Sequence, residues 1–449
     1  MTEPMAGAES GLRNASILDT AALIGDVVIP TLSKGVIIRR PRLVALAERL
    51  GLDSRAIKRL QRLRGKYGSG PLLLAIPMRW QAVILSPEHV HRVLEGTPHP
   101  FSVASAEKRA TLAHFEPDVS LISRGPERTE RRRLNEKVLE SGCPVHSMAP
   151  VFLAALDEEA RRLLSPANET LTWEQFNAAW QRIVRRVVLG DRARDDQNLK
   201  DLLDRLRRVS NWAFLHPGRK RLREEFLDRL RKYIARGEQG SLADVIARMA
   251  KSEVSAPADQ ISQYLFAFDA AGIATFRALA LLASHPEQAR HAREEIAAAG
   301  KDGRKDLPFI RACVRESLRL WPTTPAILRE TTEEVRWDGG VMPKNTNILI
   351  FTPYFHRDDE NLSYANRFTP ELWLGGEPGG RWPLIPFSGG PGICPGRNLV
   401  ALLASAMTAA ILDGRLVELD PPDTLRSDQE LPGTLDYFSL RFKLHPVQA

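Results

Sequence analysis

The feature that most constrains this chain is residues 258–284, ADQISQYLFAFDAAGIATFRALALLAS, which are apolar on most sides of a helix for about seven turns. A helix that is apolar all round has to be covered by protein on every side, so we expect it at the centre of a large fold. The 449 residues of the chain are enough to supply that cover. His285-Pro286 should end the helix, because proline disfavours a helical conformation in the residue before it.

The other patterns predict a mainly α fold with a minor β region. Helical periodicity dominates from about 120 to 320, with helices at about 287–299 and 307–320 and a last one from 394–395 to about 412. Short strands are expected within Pro71–Ser86, Ile327–Val335, Asn347–Phe351 and Phe438–Leu444. There is no internal repeat or long linker, so we expect one domain over 1–449, with an N-terminal helical extension, 1–65, on a core, 66–449.

Three cysteines, Cys143, Cys313 and Cys394, are too few for a disulfide framework and suit a reducing compartment. They form no zinc-type spacing. The net charge of +8 predicts a basic surface that could attract an acidic protein partner. Acidic residues are interspersed with the arginines throughout, so nucleic acid is not expected as a partner.

The N-terminus carries no basic region typical of a secretory signal, which indicates a cytoplasmic protein. Ser16–Leu32 is apolar, but Asp19, Asp26 and Pro30 interrupt it and it is too short to span a bilayer. No transmembrane segment is therefore expected. Basic residues follow it, so a helix lying on a membrane surface remains an alternative to the favoured one, a helix packed on the body of the protein.

The segment Phe387-Ser-Gly-Gly-Pro-Gly-Ile-Cys394-Pro-Gly396 is a glycine-rich loop that leads into the predicted last helix. Pro395 suits a first helical turn, and the free N–H groups there favour a thiolate over a thiol. Glycines such as Gly390 and Gly396 would let the backbone approach a flat, bulky group. Cys394 is thus the predicted thiolate ligand of a haem iron, against the alternative of an ordinary buried cysteine beside a turn.

This segment fits Phe-x-x-Gly-x-x-x-Cys-x-Gly, and with it the chain resembles the cytochrome P450 family. Glu316-Ser-Leu-Arg319 matches the Glu-x-x-Arg of the family, and its i, i+3 spacing puts both charges on one helix face. Ala271-Gly272-Ile-Ala-Thr275 resembles the helix that crosses the oxygen-binding face of the haem. The resemblance covers roughly residues 70–445.

The resemblance implies the cytochrome P450 fold, haem b, and a soluble bacterial type of monooxygenase that acts on an apolar small molecule. It also implies a ferredoxin and a ferredoxin reductase as separate electron donors, because no redox module or dinucleotide fingerprint is present. A monomer is expected. The family's motifs place Phe387, Gly390 and Gly396 around the haem and make Glu316 and Arg319 a latch behind it.

Cations are needed for the two haem propionates. Arg128 and Arg132 match the family's pair on an early helix, where i and i+4 share a face. Arg132 is the stronger candidate, because a solvated basic face competes as an explanation for Arg128. Arg329 matches another propionate-binding arginine.

The site departs from the family pattern on the cysteine side. Gly392 stands where relatives usually have Arg or His, and we expect Arg128 to compensate for the missing cation. Pro395 has no N–H and cannot donate to the sulfur, which should leave the thiolate more electron-rich. A further departure lies in Phe368-Thr-Pro-Glu-Leu372, where Leu372 stands in place of a latch arginine that Arg367 or Arg381 would have to replace.

The central helix has Ala274 where relatives commonly carry an acid directly before the threonine. Thr275 can still donate to or position a water near the oxygen-binding face, although it could instead bond to its own backbone. Gly272 is expected to open the helix over the haem. Asp269 lies on another side of the helix and is a poor substitute for the acid.

Two other functions stay open beside the monooxygenase. Loss of the acid at Ala274 suits a peroxide-using enzyme or an isomerase or dehydratase of oxygenated lipids. A non-catalytic haem protein that binds or senses a ligand fits less well, because Thr275 is retained. Five aromatic residues could line a substrate pocket, although ordinary core packing explains each one singly: Phe101, Phe115, Trp212, Phe214 and Phe438.

Overall fold

The computed structural model describes residues 11–165, 169–211, 218–250, 252–376, 380 and 382–446. Within these ranges the chain is mainly α-helical with a minor β region, as predicted. The α-helices are α1 (Ile17–Leu23), α2 (Ile29–Ser33), α3 (Pro41–Arg49), α4 (Leu52–Tyr67), α5 (Pro87–Glu95), α6 (Ala106–Leu112), α7 (Gly125–Val138), α8 (Ala149–Leu163), α9 (Trp173–Leu189), α10 (Gln197–Ser210), α11 (Lys220–Arg236), α12 (Leu242–Met249), α13 (Pro257–Ser284), α14 (Pro286–Gly303), α15 (Pro308–Leu320), α16 (Thr352–His356) and α17 (Arg397–Leu412).

The strands form three small sheets. They are β1 (Leu72–Leu73), β2 (Gln81–Val83), β3 (Phe101–Ser102), β4 (Thr170–Thr172), β5 (Ala326–Thr331), β6 (Val335–Trp337), β7 (Gly340–Met342), β8 (Asn347–Phe351), β9 (Arg415–Leu419) and β10 (Arg441–Pro446). The largest sheet has the order β1-β2-β8-β5-β3, in which only the β2–β8 pair is parallel. The others are β4-β10-β9 and the hairpin β6-β7.

The long apolar helix predicted at 258–284 is α13, which begins one residue earlier, at Pro257. It packs against α9, α11, α15 and α17. By length and composition it could cross a membrane, but 72% of its most apolar 18-residue window is buried inside the protein. Burial on most sides is what its lack of a polar face predicts.

Gly272 lies in close contact with a neighbouring helix. A Cβ at this position would lie 2.7 Å from Cδ1 of Trp180, which belongs to α9. The Trp180 indole N–H donates to the carbonyl of Phe268 on α13 at 2.8 Å. The glycine therefore admits the side chain of Trp180, and its predicted opening of α13 over a haem stays a prediction.

The N-terminal extension packs on the body of the protein. Leu23 and Val27 are buried in one core with the largest sheet. Lys34, which follows α2, forms an ion pair at 2.5 Å with Asp53 of α4. Ile17, in α1, remains 75% exposed, so only one face of this segment is covered.

Two predicted boundaries were wrong in an informative way. The last helix begins at Arg397 rather than at 394–395, because Pro395 and Gly396 form a turn before it. The final strand begins at Arg441 rather than at Phe438. In both places irregular backbone extends further than the apolar pattern indicates, and element ends are the least certain part of such a pattern.

Candidate functional site

The loop before Cys394 turns tightly against α5. Gly390 has φ +57°, and a Cβ there would lie 2.2 Å from the carbonyl oxygen of Leu94. The N–H of Cys394 donates to the carbonyl of Phe387 at 2.9 Å and closes the loop. Gly390 is thus required by a close approach of two backbone segments, and its predicted place around the haem stays a prediction.

Phe387 ties this loop to the centre of the protein. Its ring packs against a small cluster formed by buried side chains of α13, α15 and α17, namely Ala274, Ala278, Val314, Leu318 and Ala404. The cysteine loop therefore lies where three central helices meet. Its position depends on the packing of these helices rather than on the loop alone.

The electrostatics of Cys394 differ from the expectation of a helix N-terminus. Burial raises the pKa of the Cys394 thiol, while a hydrogen bond from the Gly396 backbone and the charges of Arg132 and Arg397 lower it to a smaller extent. The helix begins three residues later, so its dipole acts from further away. Gly396 keeps one amide donor at the sulfur, while the Pro395 carbonyl accepts from the Ser141 hydroxyl at 2.7 Å. The protein alone favours a thiol, and a cation facing the sulfur would reverse that preference.

Three cations converge beside this loop. Arg128 of α7 and Arg329 of β5 are buried, and Lys108 of α6 lies close enough that both arginines depress its pKa. Burial is the largest cause of the lowered pKa of all three groups. It lowers the pKa of Arg329 to about 10. Among the described residues none of the three forms an ion pair with a carboxylate, and Nε of Arg128 has no hydrogen-bond partner. An anion that joined this cluster would stabilise it.

Arg329 explains why position 392 is glycine. A Cβ on Gly392 would lie 2.8 Å from a terminal nitrogen of Arg329, whose other contacts include the hydroxyls of Thr97 at 3.1 Å and Ser388 at 3.3 Å. The guanidinium of Arg329 thus fills the space that an Arg or His side chain at 392 would need. Arg329 thus places its positive charge beside Gly392, and the compensation by Arg128 stays a prediction.

Arg132 is less available than its pattern indicated. Its Nε donates to Glu136 at 2.6 Å, one turn along α7. It lies near enough to Cys394 to lower the pKa of the thiol. Arg128, with no carboxylate partner among the described residues, is therefore the better anion-binding candidate of the pair, contrary to the order expected from the sequence.

These residues fit haem. The group needs an axial ligand, which Cys394 can supply, and cations for two propionates, which Arg128, Arg329 and Lys108 can supply. Lys108 was not among the predicted site residues. Its segment, AEKRATL, looks like any short charged helix, so no sequence signal marks it.

Thr275 lies on α13 with its side chain fully buried. Its hydroxyl donates to the carbonyl of Ala271 at 2.8 Å, which is the backbone bond considered as the alternative to a role at oxygen. The oxygen still has lone pairs that can accept a hydrogen bond. Asp269, six residues earlier, is held by Gln181 and Arg207, so it is not free to replace the missing acid.

The latch behind the site is a buried bidentate ion pair. Arg319 donates from Nε to Glu316 at 2.8 Å and from a terminal nitrogen at 2.6 Å, and both side chains are 0% exposed. Arg319 also donates to four carbonyls of the segment after β8, those of His356, Tyr364, Ala365 and Arg367. The pair therefore holds the chain that leads to the cysteine loop.

The third latch partner is an indole. Nε1 of Trp373 donates to Glu316 at 2.9 Å, and the N–H of Thr369 donates to its other oxygen at 2.9 Å. Trp373 follows Leu372, which stands in the expected arginine position. Arg367 contributes only its carbonyl among these contacts, and Arg381 lies outside the described residues.

Three of the five aromatic candidates for the substrate pocket lie within the described residues. Phe101 is buried in the core of the largest sheet. Phe115 packs edge-on against Phe266 of α13, with ring centroids 5.5 Å apart. Phe438 stacks on Tyr437 at 4.2 Å. Trp212 and Phe214 lie outside the described residues.

Replacing Trp373 with Phe should destabilise the protein by about 1–3 kcal/mol, because a buried carboxylate oxygen loses its donor. Trp382→Phe is the matched control, since this partly buried indole donates to the neutral carbonyl of Phe355. Its loss should cost no more than about 1 kcal/mol. Urea unfolding of the two variants measures the difference, and equal losses would contradict the role given to Trp373.

Comparison with known proteins agrees with this arrangement. The family model described as Cytochrome P450 matches residues 242–435, which include Thr275, Glu316, Arg319 and Cys394. Cytochrome P450 93G1 of Oryza sativa subsp. japonica is 31% identical over 201 residues, which are 39% of each chain. The 2-hydroxyisoflavanone synthase of Glycine max is 31% identical over 219 residues, 43% of this chain and 42% of that protein.

Geraniol 8-hydroxylase of Swertia mussotii is 30% identical over 186 residues, 38% of this chain and 36% of that enzyme. The chain thus spans less than half the length of these curated relatives.

The similarity in fold to solved structures covers more of the chain than the similarity in sequence. A retinoic acid-bound cyanobacterial CYP120A1 has a TM-score of 0.70 at 18% identity and covers 86% of this chain and 94% of its own. A crystal structure of CYP102L1 has a TM-score of 0.69. Residues 242–435 of this chain thus match the cytochrome P450 family model, and the fold is similar to that of solved cytochrome P450 structures.

Proposed function

We propose that this chain is a haem-thiolate monooxygenase that inserts one oxygen atom from dioxygen into an apolar small molecule. One observation carries the proposal: Cys394 lies on a closed loop beside a cluster of cations that has no carboxylate partner among the described residues. A haem b group would satisfy both Cys394 and the cation cluster, since its iron would bind the sulfur and its propionates would pair with the cations.

When bound, the haem supplies the activation of dioxygen. Cys394 holds the iron and donates electron density to it. Arg128, Arg329 and Lys108 hold the propionates and fix the orientation of the ring. Pro395 withholds one amide from the sulfur while Gly396 supplies one, which supports a thiolate richer in electrons than one with two such donors.

Thr275 is the proposed proton-handling residue of α13. Its proton points to the Ala271 carbonyl, so Oγ1 can accept a hydrogen bond from water and must rotate before it donates one. The preceding residue, Ala274, is 1% exposed and packed in the Phe387 cluster. Proton delivery therefore has to pass through water near Thr275 rather than through an adjacent acid.

The presence of Ala274 in place of an acid favours a second candidate function. An enzyme that uses peroxide, or that rearranges or dehydrates an oxygenated lipid, needs no acid at Ala274. Such an enzyme would keep Cys394 and the propionate cations unchanged. The two candidates differ in the oxidant and not in the haem site.

A ferredoxin and its reductase are the electron donors that we propose for the monooxygenase. The net charge of +8 supports an acidic partner, and Arg133 and Lys137 are exposed on α7, the helix that carries Arg128. We extend the proposal to a soluble, cytoplasmic monomer of the bacterial type, with Ile17 and Leu18 available for peripheral contact with a membrane.

The oxidant is tested with haem-loaded protein and a compound chosen because it shifts the haem absorption band. We expect product with isotopically labelled dioxygen, a ferredoxin and its reductase, with the label in the product. Ala274→Asp should raise the fraction of electrons that end in product, because it restores an acid beside Thr275. Turnover with peroxide alone, and none with dioxygen, would contradict the monooxygenase and favour the second candidate.

Arg128→Ala should weaken haem retention by about tenfold or more, since a charge-assisted hydrogen bond to a propionate is lost. Arg133→Ala is the control, because this residue is exposed on the same helix. Haem occupancy after gel filtration and the reduction potential are the measurements. Full occupancy with an unchanged potential in Arg128→Ala would remove Arg128 from the propionate site.

A further inference from the structure

A second group in this protein is buried without a partner. Glu116 lies between α6 and α7 and is 0% exposed, and neither of its carboxyl oxygens has a hydrogen-bond partner among the described residues. Buried carboxyl groups are almost always hydrogen-bonded or paired. A carboxyl left in this state among the described residues is a candidate for binding a ligand.

The surroundings of Glu116 come from α10 and α13. The neighbouring Phe115 packs edge-on against Phe266 of α13, and the guanidinium of Arg207 from α10 lies 5.1 Å from the centre of the Phe266 ring. The hydroxyl of Ser262 on α13 is 0% exposed and also has no partner among the described residues. Ser262 lies close enough to Glu116 to lower the pKa of its carboxyl, so two buried polar groups without a well-formed hydrogen bond adjoin each other.

The charges around Glu116 favour a cation. Burial raises the pKa of Glu116 well above its usual range, the nearby Asp259 raises it further, and Arg207 and Ser262 lower it to a smaller extent. Burial likewise raises the pKa of Asp259 to about 6, against the opposing charges of Arg131 from α7 and Arg223 from α11. Arg207 is already paired with Asp269. Two carboxyl groups that repel each other gain most from a positive ligand.

The position of Glu116 relative to Thr275 can be read along α13. Phe266 precedes Thr275 by nine residues, which is about 14 Å along the helix axis. Gln263, Phe266, Ala267 and Ala270 are partly exposed, whereas the helix is buried from Ala271 to Leu282. The partly exposed positions of α13 thus begin next to the Glu116 surroundings and end before the buried part of the helix that carries Thr275.

We propose that Glu116 binds the basic nitrogen of the substrate, an elongated apolar amine whose other end reaches the haem. This rests on the proposed function and adds the substrate class to it. An ammonium group can donate to a carboxyl oxygen of Glu116, and its positive charge offsets the negative charges of Glu116 and Asp259 when both are ionised. A hydroxyl would supply only the hydrogen bond, and an anionic group would add a third negative charge.

The test compares two ligands of equal chain length on the holoenzyme. N,N-dimethyldecylamine is cationic at neutral pH, and decanol is neutral. Glu116→Gln should bind the amine at least about tenfold more weakly than the wild type, because one charge-assisted hydrogen bond is lost, and should bind decanol with unchanged affinity. The amide is isosteric with the uncharged carboxyl group, so the variant should fold. Glu287→Gln, at an exposed position in the first turn of α14, is the matched control and should change neither affinity.

Proton release gives a second readout. Burial raises the pKa of Glu116, so the ionisation of its carboxyl on binding of an ammonium group would be coupled to the release of a proton. The affinity for the amine should rise with pH until the amine itself loses its proton. Calorimetry in buffers of different ionisation heat should detect the released proton in the wild type and not in Glu116→Gln.

Equal affinity of the wild type and Glu116→Gln for the amine would overturn the proposal. So would a nitrogen-ligated haem spectrum with the amine that does not depend on Glu116, because the amine would then sit on the iron. Calorimetry measures binding of the amine whether or not the enzyme oxidises it. Glu116-dependent binding without any oxidation would therefore contradict the monooxygenase and leave the cation site standing.

Discussion

The buried ion pair between Glu316 and Arg319 organises the half of the molecule that carries the cysteine. Both charged groups are buried, which costs them their contacts with water. Each one is stabilised by the charge of its partner and by several hydrogen bonds to other groups. These bonds go to backbone groups and to the Trp373 indole in a segment with little regular structure. Removing one partner of such a pair typically costs about 3–5 kcal/mol, because the other charge stays buried. The pair therefore holds the segment after β8 in one conformation, although most of this segment has no helix or strand hydrogen bonds of its own.

From this anchor the chain runs to the loop that carries Cys394 and that packs Phe387 among three helices, α13 included. Arg329 occupies the space beside Gly392. One side of the site is thus shaped by apolar packing and the other by cations that have no carboxylate partner among the described residues. The departures from the family pattern at positions 392 and 274 have different surroundings: a guanidinium lies beside Gly392, whereas Ala274 is packed among apolar side chains.

The sequence predicted the elements that periodicity and motifs define. The central helix was placed within one residue, and the pairing of Glu316 with Arg319 followed from their i, i+3 spacing. The third latch partner could not be predicted, because Trp373 reaches Glu316 through tertiary packing of the irregular segment. Lys108 and Glu116 were missed for the same reason. Their neighbours come from elements far away in the chain, and no local pattern marks a charged residue that tertiary structure will bury.

The central claim is that Cys394 is the thiolate ligand of a haem iron. Carbon monoxide difference spectroscopy of the reduced, haem-loaded protein tests it most directly, with Cys394→Ser for comparison and Cys143→Ser, at an exposed position, as the control. The account predicts the absorption band typical of thiolate-bound haem in the wild type and in Cys143→Ser, and its absence in Cys394→Ser. A wild-type spectrum without that band, or an unchanged band in Cys394→Ser, would contradict it.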